Sequence, residues 1–206
     1  MPEMRSLNIA DLARQYLSEG GKISELSVDY SREEICAFIR ENINAMLSLV
    51  EGMTPAQLAY RLPGAPSGYD DSGDEAHFDT SEIITHMASG TAFHWRGMSR
   101  ALGDERPPFP QPPEGANVTG KKKGMGSGGW SGASPAELAA LLRQTVDAFL
   151  AYVEALPPEI DSGTRSSLWI FRDMSPHDWL FLVGIHSAMH LTQIQEMQAQ
   201  PDYPLA

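Results

Sequence analysis

The stretch "SPHDWLFLVGIHSAMHLTQIQEMQ", residues 175–198, decides how the rest of the chain reads. Ser175 is placed to cap a helix, and Pro176 suits a first helical position, where the missing N–H costs nothing. Behind them Trp179, Leu182, Val183, His186, Met189, His190, Gln193, Ile194 and Met197 recur at intervals of three and four, the signature of one inward helix face. Two imidazoles, His186 and His190, fall on that face one turn apart.

Working outward, the same signals recur. "SPAEL" at 134–138 repeats the Ser-Pro opening, with Glu137 completing a capping box. Its apolar positions run through Leu141, Leu142, Val146, Phe149, Leu150 and Val153 to a stop at Pro157-Pro158. "SREE" at 31–34 is another box, followed by Ile35, Phe38, Ile39, Ile43, Met46, Leu47 and Val50; it stops near Gly52, where "TPAQL" begins a short extra turn. A further helix starts at Asp79 or Thr80, with Glu82 in its first turn, and reaches Leu102. The expected helices are therefore 31–51, 79–102, 134–155 and 175–198.

The connectors differ. "LPGAPSGYDDSGDEAHF" joins the first two helices, and the Pro- and Gly-rich "RPPFPQPPEGANVTGKKKGMGSGGWSG" joins the second to the third as a long irregular crossover. No run of alternating strands appears, although "SSLWIF" at 166–171 suits a brief extended piece. Residues 1–30 read as an N-terminal extension with a short helix over 9–18, and residues 31–200 as one bundle domain. The fold class is all-α, a four-helix bundle with a long crossover between helices two and three.

Composition removes several functions. The chain has 206 residues, enough for one sizeable core, and a formal charge of −12 that repels phosphate backbones. Its one basic run, "KKK" at 121–123, sits among glycines. Apolar stretches fall short of the ~20 residues a membrane span needs, and the N-terminal residues contain no unbroken apolar block. Cys36 is the single cysteine, which suits a reducing compartment. The expectation is a cytoplasmic protein that binds a small molecule, with no nucleic acid and no membrane.

His186 and His190 allow two readings. A core histidine hydrogen-bonded to its neighbours is the ordinary fate of an inward imidazole. Two on one stripe can instead converge on a metal ion, as in helical H-x-x-x-H sites. The residues between them are Ser-Ala-Met, so the general-base Glu of H-E-x-x-H metalloproteases is missing. The second helix offers a third ligand. His86 lies on the stripe Ile83, His86, Gly90, Phe93, Gly97, and His94 on the neighbouring Met87, Gly90, His94, Met98. Periodicity does not choose between them. The two glycines leave room either for a ligand or for close helix contact. His77 and His177 flank helix starts and are expected to face solvent.

The order of these features resembles the DinB/YfiT-like metalloenzymes, over about residues 31–200. The resemblance rests on "EEICAFIRENINAMLSLVEGMTPAQLAYRL", on "FDTSEIITH" with Phe78 eight residues before His86, and on "HSAMHLTQI". It implies a metal held by His86, His186 and His190, and so favours His86 over His94. It also implies a homodimer and either thiol transfer, with a low-molecular-weight thiol, or hydrolysis. Phe78 stands where the family often has Trp, Ser187 where an acidic residue is common, and the crossover is long.

Three imidazoles without a carboxylate leave the ion's charge unneutralised and a coordination position open, for water or thiol to become the nucleophile. Zinc and nickel suit such ligands best. Gln193 is placed to orient a ligand or bound water, and Arg96 and Arg100 to meet an anionic substrate, against a plain solvated role. The alternatives are a non-catalytic metal-binding protein and a helical interaction protein with structural histidines.

Overall fold

The computed structural model describes Met4, Leu7 and residues 23–62, 78–105, 107–108, 117–118, 130–157, 165–167 and 173–205. Six helices are present among them: α1 (Ser24–Ser27), α2 (Arg32–Glu51), α3 (Pro55–Leu58), α4 (Thr80–Leu102), α5 (Pro135–Ala155) and α6 (Pro176–Gln198). The four long ones are those expected from the sequence; α2, α5 and α6 start on the expected caps, and of the two candidates for α4 the cap is Asp79 rather than Thr80. Ser31, Asp79, Ser134 and Ser175 each accept a backbone N–H from the third helical residue, whose carboxylate reaches back to the cap's own N–H. In α6 that carboxylate is Asp178. Thr54 and Gln57 close the same box around α3. Gly103 ends α4 with φ +76, a left-handed conformation that costs glycine little.

α2 packs against α5 and α6, and α4 packs against the same two. Residue pairings give the directions. Arg40 ion-pairs with Glu154 and Arg143 with Glu51, so α2 and α5 are antiparallel. Ile35 approaches Gly184 and Asn42 donates to Ser187, so α2 and α6 run the same way. His86 meets His190 while Gly97 meets Trp179, so α4 and α6 are antiparallel. It follows that α4 and α5, neighbours in the bundle, are parallel. A helix of 23 residues is about 35 Å long. The chain must retrace that length between them, which is the physical reason for the long crossover.

Several features go beyond the expectations or depart from them. α6 is buried on nearly all faces, including Leu180, Phe181 and Ile185, and α1, α2 and α4 all pack against it. Met189, on the expected stripe, is only half-buried. The described end of the N-terminal extension is attached to the bundle: Ile23 and Ser27 are buried, and the Ser27 hydroxyl donates to Asp178. The crossover is not wholly irregular either. Within it β1 (Asn117–Val118) pairs antiparallel with β2 (Trp130–Ser131), and Trp130 is buried beside α4. The helix expected over 9–18 and most of "SSLWIF" lie outside the described residues, though Ser166 forms an antiparallel bridge with Met174. No helix among the described residues is long and apolar enough to cross a membrane.

Candidate metal centre

The α4/α6 contact carries the histidines. His86 projects from α4, and His186 and His190 from successive turns of α6. Their exposures are 3%, 4% and 0%. The Nε2 atom of His186 lies 3.0 Å from Nε2 of His86 and 3.0 Å from Nε2 of His190. Each of the three residues offers a nitrogen within 4.8 Å of those of the others.

Hydrogen bonding alone accounts poorly for this arrangement. The Nδ1–H of His190 donates to the Gln193 side-chain oxygen at 2.9 Å, which leaves its Nε2 as a lone pair. Nε2 of His186 has one in-plane position, holding either one proton or one lone pair. It cannot bond well to both neighbours at once. A shared cation accepts all three lone pairs together, and three imidazoles with one ring fixed from outside are the donor set of such sites. The residues present fit a divalent metal.

The surroundings explain how the rings are held. Phe78 meets His86 edge-on at 5.2 Å and lies parallel to His190 at 6.4 Å, so it closes one side. The Gln193 side-chain oxygen accepts from His190 and so orients that ring. Gly90 and Gly97 are close helix contacts: a Cβ on Gly90 would stand 2.8 Å from Cε1 of His186, and one on Gly97 would stand 2.6 Å from the Trp179 ring.

The remaining candidates fall elsewhere. His94 is buried beyond His186, its ring centroid 5.8 Å from that of His186 and 5.9 Å from Trp179, and it is not one of the converging three. His177 does not face solvent as expected; it is half-buried, with Nε2 3.0 Å from the Ser27 carbonyl, because α1 folds over the start of α6. His77 lies outside the described residues. Arg96 donates to the Pro107 carbonyl and so ties the crossover to α4, while Arg100 is exposed at the helix end.

One charged group was not legible. Arg61 pairs with both Asp79 and Glu82, next to Phe78 at the start of α4. Burial, with the Glu82 charge adding, pushes the Asp79 carboxyl up to about 6 against the opposing pull of Arg61. The cap Asp79-x-x-Glu82 is visible in the sequence, but its cation comes from beyond an 18-residue separation. Asn42 and Ser187, bonded at 3.1 Å in the α2/α6 core, were likewise missed.

The DinB superfamily model matches residues 39–194, a span that includes all three histidines. No curated protein and no solved structure matches the chain.

Proposed function

Because the chain belongs to the DinB superfamily, we propose that it is a metal-dependent enzyme whose His86, His186 and His190 hold a divalent ion. The convergence of three buried Nε2 atoms carries this reading. Zinc is the first choice by availability and nickel the second by ligand type. Such an ion, when bound, supplies Lewis acidity that turns a thiol or water into a nucleophile near neutral pH.

The protein's own groups have separate tasks. Gln193 keeps the proton of His190 on Nδ1 and its lone pair turned to the ion. Phe78 lies against His86 and His190 and holds the two rings in place with hydrocarbon. Cys36 is excluded as the nucleophile: it is buried on α2 and burial pushes its thiol pKa up. A thiol that takes part therefore arrives as a low-molecular-weight co-substrate, and the second substrate is a small electrophile. Hydrolysis uses the same site with water. We place the protein in the cytoplasm as a homodimer; light scattering at micromolar concentration checks the dimer, and a monomer mass refutes it.

Elemental analysis of protein purified without a His-tag tests the core of the proposal. About one ion per chain is expected, lost in the Ala variants of His86, His186 or His190 and kept in His94→Ala. Absence of metal from the wild type refutes the proposal. Metal without turnover of any thiol–electrophile pair or hydrolysable ester would make the chain a non-catalytic metal binder.

A further inference from the structure

The two glycines of α4 stand seven residues apart, at 90 and 97, and the side chains that fill them stand seven apart on α6, at 186 and 179. A Cβ on Gly90 would meet the His186 ring at 2.8 Å (Cε1) and 3.2 Å (Nδ1). A Cβ on Gly97 would meet the Trp179 ring at 2.6 Å. The indole is also held through its N–H, since Trp179 Nε1 donates to Ser166 Oγ at 2.7 Å and Ser166 Oγ donates to the Gly97 carbonyl at 3.1 Å. Real side chains do not tolerate contacts this short, so no other residue type fits either notch with the facing ring where it is.

We propose that Gly90 and Gly97 are positioning residues for the metal centre. They form a pair of notches that receive His186 and Trp179 and fix the sliding of α4 along α6. The notches are on the same stripe as His86. Gly97 with Trp179 sets the axial register of the antiparallel pair, and Gly90 lets the His186 ring lie close enough for its Nε2 to reach His86. A helix interior disfavours glycine, so two at this spacing are retained against local preference. The register argument also explains why His86 rather than His94 joins the pair from α6: with both rings seated, His86 is level with the gap between His186 and His190, and His94 is carried past it toward Trp179.

The inference rests on the metal reading, and the test separates the two. Gly90→Ala is expected to weaken Zn²⁺ binding by about 10–100-fold, the range seen when groups that orient metal ligands are altered. Binding is measured by competition with a chromophoric chelator, alongside thermal melting of the chelated protein. A merely structural glycine would lower the melting temperature and leave the affinity of the folded fraction intact. The second measurement repeats Gly90→Ala in a His186→Ala background, where the notch is empty. There alanine, the better helix former, raises the melting temperature, and this arm decides the matter if Gly90→Ala alone does not fold. Wild-type affinity in folded Gly90→Ala, or an equal loss of melting temperature with and without His186, overturns the inference. A wild type that binds no Zn²⁺ refutes the metal reading instead, and the melting comparison still reports whether the notch belongs to His186.

Discussion

The α2/α5 and α4/α6 contacts are built to different rules. Between α2 and α5 the buried side chains are hydrocarbon, among them Ile39, Met46, Leu142, Val146 and Phe149. Their charged groups, the Arg40–Glu154 and Arg143–Glu51 pairs, stay at the surface. Between α4 and α6 four imidazoles, an indole and two glycine notches fill the same kind of space. The first contact is complete in itself. The second brings together three lone pairs in an arrangement that fits a metal ion. One bundle thus keeps a purely apolar contact and the candidate metal site on opposite faces of its core.

The largest effect expected is on the hydrocarbon side. Leu142→Ala deletes a fully buried side chain and should cost ~2–5 kcal/mol by chemical denaturation, with or without chelator. Next comes the metal itself. With free ion a hundredfold above Kd, binding adds ~2.7 kcal/mol, so chelation should lower the melting temperature of the wild type and leave His190→Ala unmoved. Equal chelator sensitivity in both would erase the distinction between the two contacts. Gln193→Ala should be smaller, ~10–100-fold in metal affinity through loss of the His190 partner, without a matching loss of stability in chelator.

Acid–base behaviour sharpens the comparison further. The Asp79 carboxyl has its pKa raised in the folded protein, so the folded state binds the proton more tightly. Its contribution to stability is present below the unfolded pKa and is lost as pH rises through about 6. Stability measured by denaturation should therefore fall between about pH 4 and 6 from this group, and Asp79→Asn should flatten that segment while keeping a competent helix cap. The smallest effect is expected at the exposed pair: Arg40→Ala should change stability by less than about 1 kcal/mol.

Local chemistry explains what the sequence made legible. Caps at Ser31, Ser134 and Ser175 act within four residues, so helix starts were readable to the residue, and Asp79 was one of two readable options. His186 and His190 share a helix, and their common face follows from spacing alone. His86 and His94 are both buried, so no helical periodicity separates them; the choice depends on how α4 sits along α6, which is a property of two helices. Arg61 with Asp79, and Ser27 with Asp178, are pairings of the same distant kind. The burial of α6 on nearly all faces was hidden because a stripe assumes one partner, whereas α1, α2 and α4 all pack against this helix.

The place of α6 in the chain has a kinetic consequence. Its contacts close long loops: Ser27 to Asp178 spans 151 positions, Asn42 to Ser187 spans 145 and His86 to His186 spans 100. Long loops are slow to close, so a helical chain with this wiring should fold more slowly than a bundle joined by short turns. The three nitrogens can meet only once α6 has docked, so the site is expected to form late in folding. An ion bound there acts on the rate of escape: it should slow unfolding by nearly its whole binding energy and leave the refolding rate almost unchanged.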